Sequence, residues 1–515
     1  MSTPTESGTR RGALFIGAAK AWFLVAGLAQ NVLLPVAIGQ GGFGAYKRAL
    51  AFVNVVNNVI VVASIQAVSR AVAAAPATRR RETMRRATLF QAAIGLGLGL
   101  AFFAAIPLIV AHQRAPHLAA PLRVLAGVLF AYGLYAPLVG ALNGIRAFGA
   151  QATLDATYST LRTVLSIAVG WWFVHRLASD GALGTTLGFL ASAVAITPLA
   201  WLLARRVRDD VGAEGTAFEV RAHVMFLAGL LAMQAFQSLL LQVDLIVLGR
   251  AATLRAIADG MPEALARQAA DRLAGLYAQA QAFGLVPYQL LVAAGFVLFP
   301  TVAAARARGD DRAVREGVSR GGAATLVVAG AMVAAIGGAP MAVLRFAFGR
   351  GTPDGLPLEL AAPILRTLAI AHGATAVATL GATLVAASGR GRLAAGLAGT
   401  VATSAIVGAA VGAARSTSLL GLGVAIAIGL AVGIAVGCVV VAVVVRRVVG
   451  PYVMPLSVAR VIAGVAGALS IGGMVPISSV RVLAPFSALV PLVAYLVIVL
   501  ILGEPLAGLL RRTRA

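Results

Sequence analysis

The stretch that decides the fold begins Arg79-Arg80-Arg81-Glu82-Thr83-Met84-Arg85-Arg86 and then changes character. From Ala87 to His112 it carries no Asp, Glu, Lys or Arg, and its middle reads Leu96-Gly97-Leu98-Gly99-Leu100-Ala101-Phe102-Phe103. About 20 apolar residues are enough for one helical crossing of a bilayer core. Only helices or closed barrels cross, because backbone N–H and C=O groups find no water there. The apolar run is continuous rather than alternating, which selects a helix over a barrel strand.

The same pattern recurs along the chain. Apolar spans are expected at 12–39, 44–71, 87–112, 119–141, 151–174, 182–204, 223–248, 274–303, 321–345, 362–387, 393–413, 419–445, 457–477 and 484–502. The expected fold is an all-α polytopic membrane protein with 14 transmembrane helices. Hydrophobic residues make up 60% of the chain, charged residues only 12%, and mean hydropathy is +0.92, as such a fold requires. The basic residues sit in alternate gaps. One set of gaps, together with both termini, holds 25 of the 42, and the other set holds 12. The positive-inside rule places the rich set, and therefore both termini, in the cytoplasm. The bacterial cytoplasmic (inner) membrane is the expected location.

The net charge of +24 is spread over many short loops, not gathered on one face. That favours contact with anionic lipid headgroups and argues against nucleic acid as a partner. Arg10-Arg11 precede a span too long for a signal peptide, so the first segment reads as a retained anchor. Cys438 is the single cysteine, which excludes an intramolecular disulfide. The two lysines, Lys20 and Lys47, fit no phosphate-binding G-x-x-x-x-G-K-[ST] loop. The five histidines form no metal-ligand spacing, and no cofactor or metal is expected.

A repeat organises the spans. The second opens Gly44-Ala45-Tyr46-Lys47-Arg48-Ala49-Leu50-Ala51-Phe52, and the eighth opens Gly275-Leu276-Tyr277-Ala278-Gln279-Ala280-Gln281-Ala282-Phe283. Both read G-x-Y-x-x-A-x-x-F. Two pseudo-symmetric six-helix lobes follow, at 1–222 and 223–456, with two additional helices and a tail at 457–515. Halves of this kind often flank a substrate cavity and rock about it. The gap 249–273 is longer than its counterpart. Within it, Leu254, Ile257, Met261 and Leu265 have helical spacing, so it is either an amphipathic helix on the outer membrane face or a solvated loop.

Ionisable residues inside spans are costly and therefore informative. Arg162 lies about 17 Å into the fifth span at 1.5 Å per residue. It shares a helix face with Asp155 and Tyr158. This stripe either meets an anionic headgroup or forms an internal Asp–Arg clamp. Lys20 either snorkels or binds ligand. Arg48 is either interfacial or lines a cavity mouth. Asn54, Asn57 and Asn58 either bond sugar hydroxyls or join helices. Asp244 either coordinates a coupling cation or pairs with an arginine. His372 is either a proton relay or a histidine hydrogen-bonded in the interior. Pro35 and Pro340 are expected to kink their helices.

Three stretches resemble the polysaccharide-export and lipid II flippases of the multidrug/oligosaccharidyl-lipid/polysaccharide (MOP) superfamily. The first runs from Gly41 to Gln66-Ala67-Val68-Ser69-Arg70 and the second is Leu241-Gln242-Val243-Asp244-Leu245-Ile246-Val247-Leu248-Gly249. The third is Pro287-Tyr288-Gln289-Leu290-Leu291, continuing to Phe299-Pro300. The resemblance implies lobes around a V-shaped cavity, alternating access, and a lipid-linked sugar on a polyprenyl diphosphate as cargo. The expected function is therefore a flippase rather than an enzyme, acting as a monomer, with membrane lipids and glycan-assembly enzymes as partners. Substrate binding is assigned to Arg162, Lys20, Arg48, Asn54 and Asn58, and ion coupling or structural pairing to Asp155 and Asp244. Two rival readings are a cation-coupled multidrug antiporter and a membrane polysaccharide ligase.

Overall fold

Helix α2, Arg80–Gln113, shows how lipid-facing helices are built here. Its first five buried positions, Thr83, Ala87, Gln91, Gly95 and Gly99, are small or polar and recur at four-residue spacing before Phe102 and Ile106 continue the buried face. Leu89, Leu96, Leu100, Phe103 and Leu108 are exposed. A soluble helix hides its large apolar residues. This one turns them outward, where only lipid tails would welcome them, and uses its small face for close helix contact.

The computed structural model of the chain describes residues 6–205, 219–291, 302, 306, 308–349, 351–352, 355–476 and 480–504. No strand occurs among the described residues. The other helices are α1 (Glu6–Ala74), α3 (Ala119–Gly144), α4 (Phe148–His175), α5 (Gly181–Ala204), α6 (Val220–Leu240), α7 (Val243–Ala258) and α8 (Glu263–Gly284). They are followed by α9 (Asp311–Gly338), α10 (Pro340–Phe348), α11 (Ala361–Ala387), α12 (Gly391–Arg415), α13 (Leu422–Val448), α14 (Pro455–Met474) and α15 (Leu489–Ile501).

Eleven helices among the described residues are long and apolar enough to cross a membrane. The first of these, Gly17–Ala74, covers both of the first two expected spans. It is broken at Gly39, whose φ of 75° and ψ of 162° are not helical. Only glycine takes that conformation cheaply, so the break falls at Gly39 and not at Pro35. The expected fifth span is formed as α4 but lies outside the eleven, since Asp155, Arg162 and several hydroxyl residues lower its apolarity. The expected eighth span begins in α8, and its second half includes residues outside those described. Pro340 does not kink a helix. It starts α10, where its missing N–H costs nothing.

The gap 249–273 is helical apart from a short turn. Helices α7 and α8 extend through it and meet at a tight turn, where Gly260 has φ 86° and Pro262 caps α8.

By internal contact the chain forms two compact units. The first is Met1–Ser238 with Glu263–Gly275, and the second is Leu239–Pro262 with Leu276–Ala515. In the first, α1 packs on α3 and α4, and α4 packs on α5. The start of α6 joins it through Leu227 against Ala63 and Ala67 of α1. In the second, α13 packs on α11 and α12, and α9 packs on α11. The last two helices attach to α9 through Val461, Ala468, Tyr495 and Val499 against Val327 and Ala334. The Tyr495 hydroxyl donates to the Val327 carbonyl at 2.9 Å, fixing α15 in register.

Candidate substrate site

In the first unit, polar side chains from α1 and α4 meet within the apolar bundle. Lys20 Nζ lies 2.8 Å from Asp155 Oδ2. Asp155 therefore pairs with Lys20, on another helix, and not with Arg162 on its own. Arg162 lies one to two turns further along α4. Its guanidinium is hydrogen-bonded to the side chains of Tyr46 and Tyr158 and stacks over the Phe189 ring, 4.3 Å from the centroid. Its Nε is buried and has no hydrogen-bond partner among the described residues. The arginine is thus charged, oriented and only partly satisfied, with neutral hydroxyls and a π-face in place of a carboxylate.

The surroundings hold this geometry in place. The Tyr158 hydroxyl bonds that of Tyr132, and their rings cross at 77°. Gln30 donates to the Tyr46 hydroxyl at 3.5 Å. Trp22 Nε1 donates to Thr160 Oγ1 at 3.0 Å, and Thr163 Oγ1 to the Ala26 carbonyl at 3.2 Å, so α1 and α4 are stitched along their length. On α5, a Cβ at Gly188 would collide with the Leu165 backbone. Glycine there lets α5 approach α4 closely enough to put Phe189 under Arg162.

Asn54 and Asn58 lie further along α1 and are half-buried, as is Asn57, whose Oδ1 has no partner among the described residues. They are not among the partners of Arg162. Arg48 is separate again. It is 1% exposed and its Nη1 bonds Asp271 Oδ1 at 2.6 Å, with Nη2 3.5 Å from Gln113. His117 Nε2 lies 2.8 Å from the second oxygen of Asp271. No sequence pattern links the members of this Arg48–Asp271–His117 cluster. They lie far apart in the chain and share no periodicity.

The cluster is possible because α1 and α8 touch. A Cβ on Gly44 would collide with the Asp271 backbone, and one on Gly275 with that of Gln40. The first residue of the G-x-Y repeat is therefore a helix-crossing point in both copies. The repeat tyrosines have parallel duties. Tyr46 bonds Arg162, whereas in the second unit Tyr277 donates to Asp244 Oδ2 at 3.0 Å. Asp244 is fully buried and also accepts from Gln281 Nε2, at 3.0 and 2.9 Å, and from the Leu245 N–H at 2.8 Å. Its described partners are thus neutral, and no arginine is among them. His372 is buried in α11, with neither ring nitrogen hydrogen-bonded among the described residues. No group of three or more His, Cys, Asp or Glu that would hold a metal occurs among the described residues.

Known proteins resemble the chain in family sequence pattern and in fold. The family described as "Polysaccharide biosynthesis protein" matches residues 10–305. No curated protein matches the chain by sequence. Among solved structures, the lipid II flippase MurJ in its inward closed conformation is similar at a TM-score of 0.69 and 14% identity. The match covers 96% of this chain and 100% of that one. An inward-facing multidrug resistance MATE family transporter of the MOP superfamily gives 0.60 at 15% identity, over 84% of this chain and 94% of that one. The Vibrio cholerae MATE transporter VcmN in its bent form gives 0.54 at 14% identity, over 86% and 99%. At such identities these likenesses speak to the fold. The family match covers more than half of the sequence, and the chain belongs to the polysaccharide biosynthesis protein family.

Proposed function

We propose that this protein is a flippase of the bacterial inner membrane. It would carry a polyprenyl-diphosphate-linked oligosaccharide or peptidoglycan precursor from the inner to the outer leaflet by alternating access. Both termini lie in the cytoplasm on this reading, which is favoured by the arginine-rich alternate gaps. One observation carries the cargo assignment. Arg162 is a membrane-embedded guanidinium solvated by two tyrosine hydroxyls and an aromatic ring, with no carboxylate partner among the described residues.

A diphosphate headgroup needs countercharge while it leaves water, and an arginine with an unsatisfied Nε supplies it. Lys20, whose side chain is 55% exposed while Asp155 is 14% exposed, is the second cation the headgroup would reach. Asn54 and Asn58 offer amides to sugar hydroxyls. Arg48, locked to Asp271, holds the start of α8 and acts on the cargo through that position. An inside-negative potential favours outward movement of each negative charge by about 2.3 kcal/mol per 100 mV.

The test is translocation of a fluorescent lipid-linked oligosaccharide in proteoliposomes. Arg162→Ala is expected to abolish it while inserting normally, and Arg162→Lys to restore part of it. Wild-type rates in Arg162→Ala would remove Arg162 from the site. A second reading, a cation-coupled drug antiporter, is favoured by Asp244, a buried carboxylate with only neutral described partners. It predicts that Asp244→Asn abolishes export of a cationic dye and that Arg162→Ala leaves export intact.

A further inference from the structure

We propose that the arginine-rich end of the second unit carries a binding site for a phosphate-bearing anion, separate from the transport residues. A cavity of about 190 Å³ lies there, lined in part by Arg306, Arg315, Arg390, Asp311 and Ser388. It sits where α9 and α12 begin and where α11 and α13 end. The volume holds on the order of six waters at about 30 Å³ each. That is ample for a phosphate ester with a glycerol-sized substituent.

The charges around it do not cancel. Asp311 is taken by Arg306 at 2.6 Å. Arg390 donates one N–H to the Val448 carbonyl at 3.0 Å, which anchors it and leaves its other N–H groups without a protein acceptor among the described residues. Arg315 has neither a carboxylate nor a hydrogen-bond partner among the described residues. Arg320, further along the same helix, differs, since it is paired with Glu316 at 3.2 Å. The stem of Arg315 is nevertheless fixed. It lies against the backbone at Gly450, where a Cβ would come within 3.0 Å of Arg315 Cγ. Arg390, held by one hydrogen bond, and the exposed Arg315, held by its stem, therefore face one cavity with unused donors, and the two starting and two ending helices around it leave the arginines as its net charge.

Ser388 spends its hydroxyl proton on the Val385 carbonyl at 2.8 Å. Recognition thus falls on the arginines, whose planar forks match tetrahedral oxyanions better than single carboxylates in a space this large. Two sources present that chemistry at a membrane surface: an anionic lipid headgroup or a soluble phosphate ester.

The experiment uses the full-length protein in phosphatidylcholine nanodiscs doped with dioleoylphosphatidic acid, with retained lipids counted by native mass spectrometry. A parallel calorimetric titration uses glycerol 3-phosphate on the protein in neutral detergent. Phosphatidic acid is expected to be retained over phosphatidylcholine. Arg315→Gln and Arg390→Gln should each weaken retention about tenfold, as loss of a charge-assisted hydrogen bond does. Arg320→Gln, outside the cavity, should leave it unchanged. Arg315-dependent binding of glycerol 3-phosphate would assign the site to a soluble ester, and retention of the lipid alone would assign it to a headgroup. Equal losses in Arg315→Gln and Arg320→Gln, or no preference for either phosphate probe, would overturn the proposal. Translocation is not the readout, so failure here leaves the flippase reading standing.

Discussion

Removing Asp271 should expose how much the crossing of α1 and α8 depends on one ion pair. Arg48 is 1% exposed, and the Asp271 side chain is 10% exposed. In Asp271→Asn the guanidinium keeps a neutral amide oxygen and the 3.5 Å contact to Gln113 but loses its countercharge, while its Nε already lacks a partner among the described residues. Two unit charges about 4 Å apart attract by about 4 kcal/mol at an effective dielectric of 20. Stranding one member of a buried pair commonly costs about 3–5 kcal/mol. We expect Asp271→Asn and Arg48→Gln each to lose stability in that range, by unfolding free energy in mixed micelles. The double variant should lose less than the sum, because no buried charge is left alone. His117→Gln should cost less than about 1 kcal/mol, since that side chain is 33% exposed and screened by water. Strict additivity of the two single losses would refute the argument and make the 2.6 Å contact incidental.

Gly44→Ala should destabilise the protein by about 1–3 kcal/mol through overpacking against the Asp271 backbone, measured by thermal aggregation in detergent. Gly39→Ala should cost about 1–2 kcal/mol, because its φ of 75° penalises any Cβ, and the loss should appear without any change in inserted topology. Tyr495→Phe should cost about 0.5–1.5 kcal/mol by removing the hydroxyl that reaches Val327, read as faster proteolysis of the chain's last helices. Lys20→Met should change stability by less than about 1 kcal/mol, since the lysine is largely exposed, yet slow translocation if the proposed site is correct.

Periodicity and charge made much of this legible. The continuous apolar runs gave helices, the arginine clusters gave their ends, and G-x-Y-x-x-A-x-x-F marked two places where a glycine must admit another backbone. Helical spacing also put Asp155, Tyr158 and Arg162 on one face. It said nothing about which neighbour that face would meet. Lys20 took Asp155, and two tyrosines took Arg162. The same limit hid Asp271, which sits in a segment read as surface helix or loop, 223 residues from Arg48. Pattern tells which way a side chain leaves its own helix; its partner is set by the crossing of helices, which here depends on single glycines such as Gly44 and Gly188.

The two copies of the repeat lead to an asymmetry that bears on mechanism. In the first, the tyrosine hydroxyl leaves Arg162 positive. In the second, Tyr277 and Gln281 donate to the buried Asp244 carboxyl. Equivalent tyrosines therefore serve a guanidinium in one copy and a carboxyl group in the other. A carrier that used both halves alike for an anionic headgroup would gain from a second arginine and would be hindered by a buried carboxylate. On the flippase reading, the first unit then handles the headgroup, and Asp244 belongs to the energetics of the cycle. If so, Asp244→Asn should slow turnover while leaving affinity for the lipid-linked sugar intact, and Arg162→Lys should do the reverse. Binding measured in the same nanodiscs as transport separates the two. Parallel loss of affinity in both variants would place both charges at the headgroup and remove the division of labour.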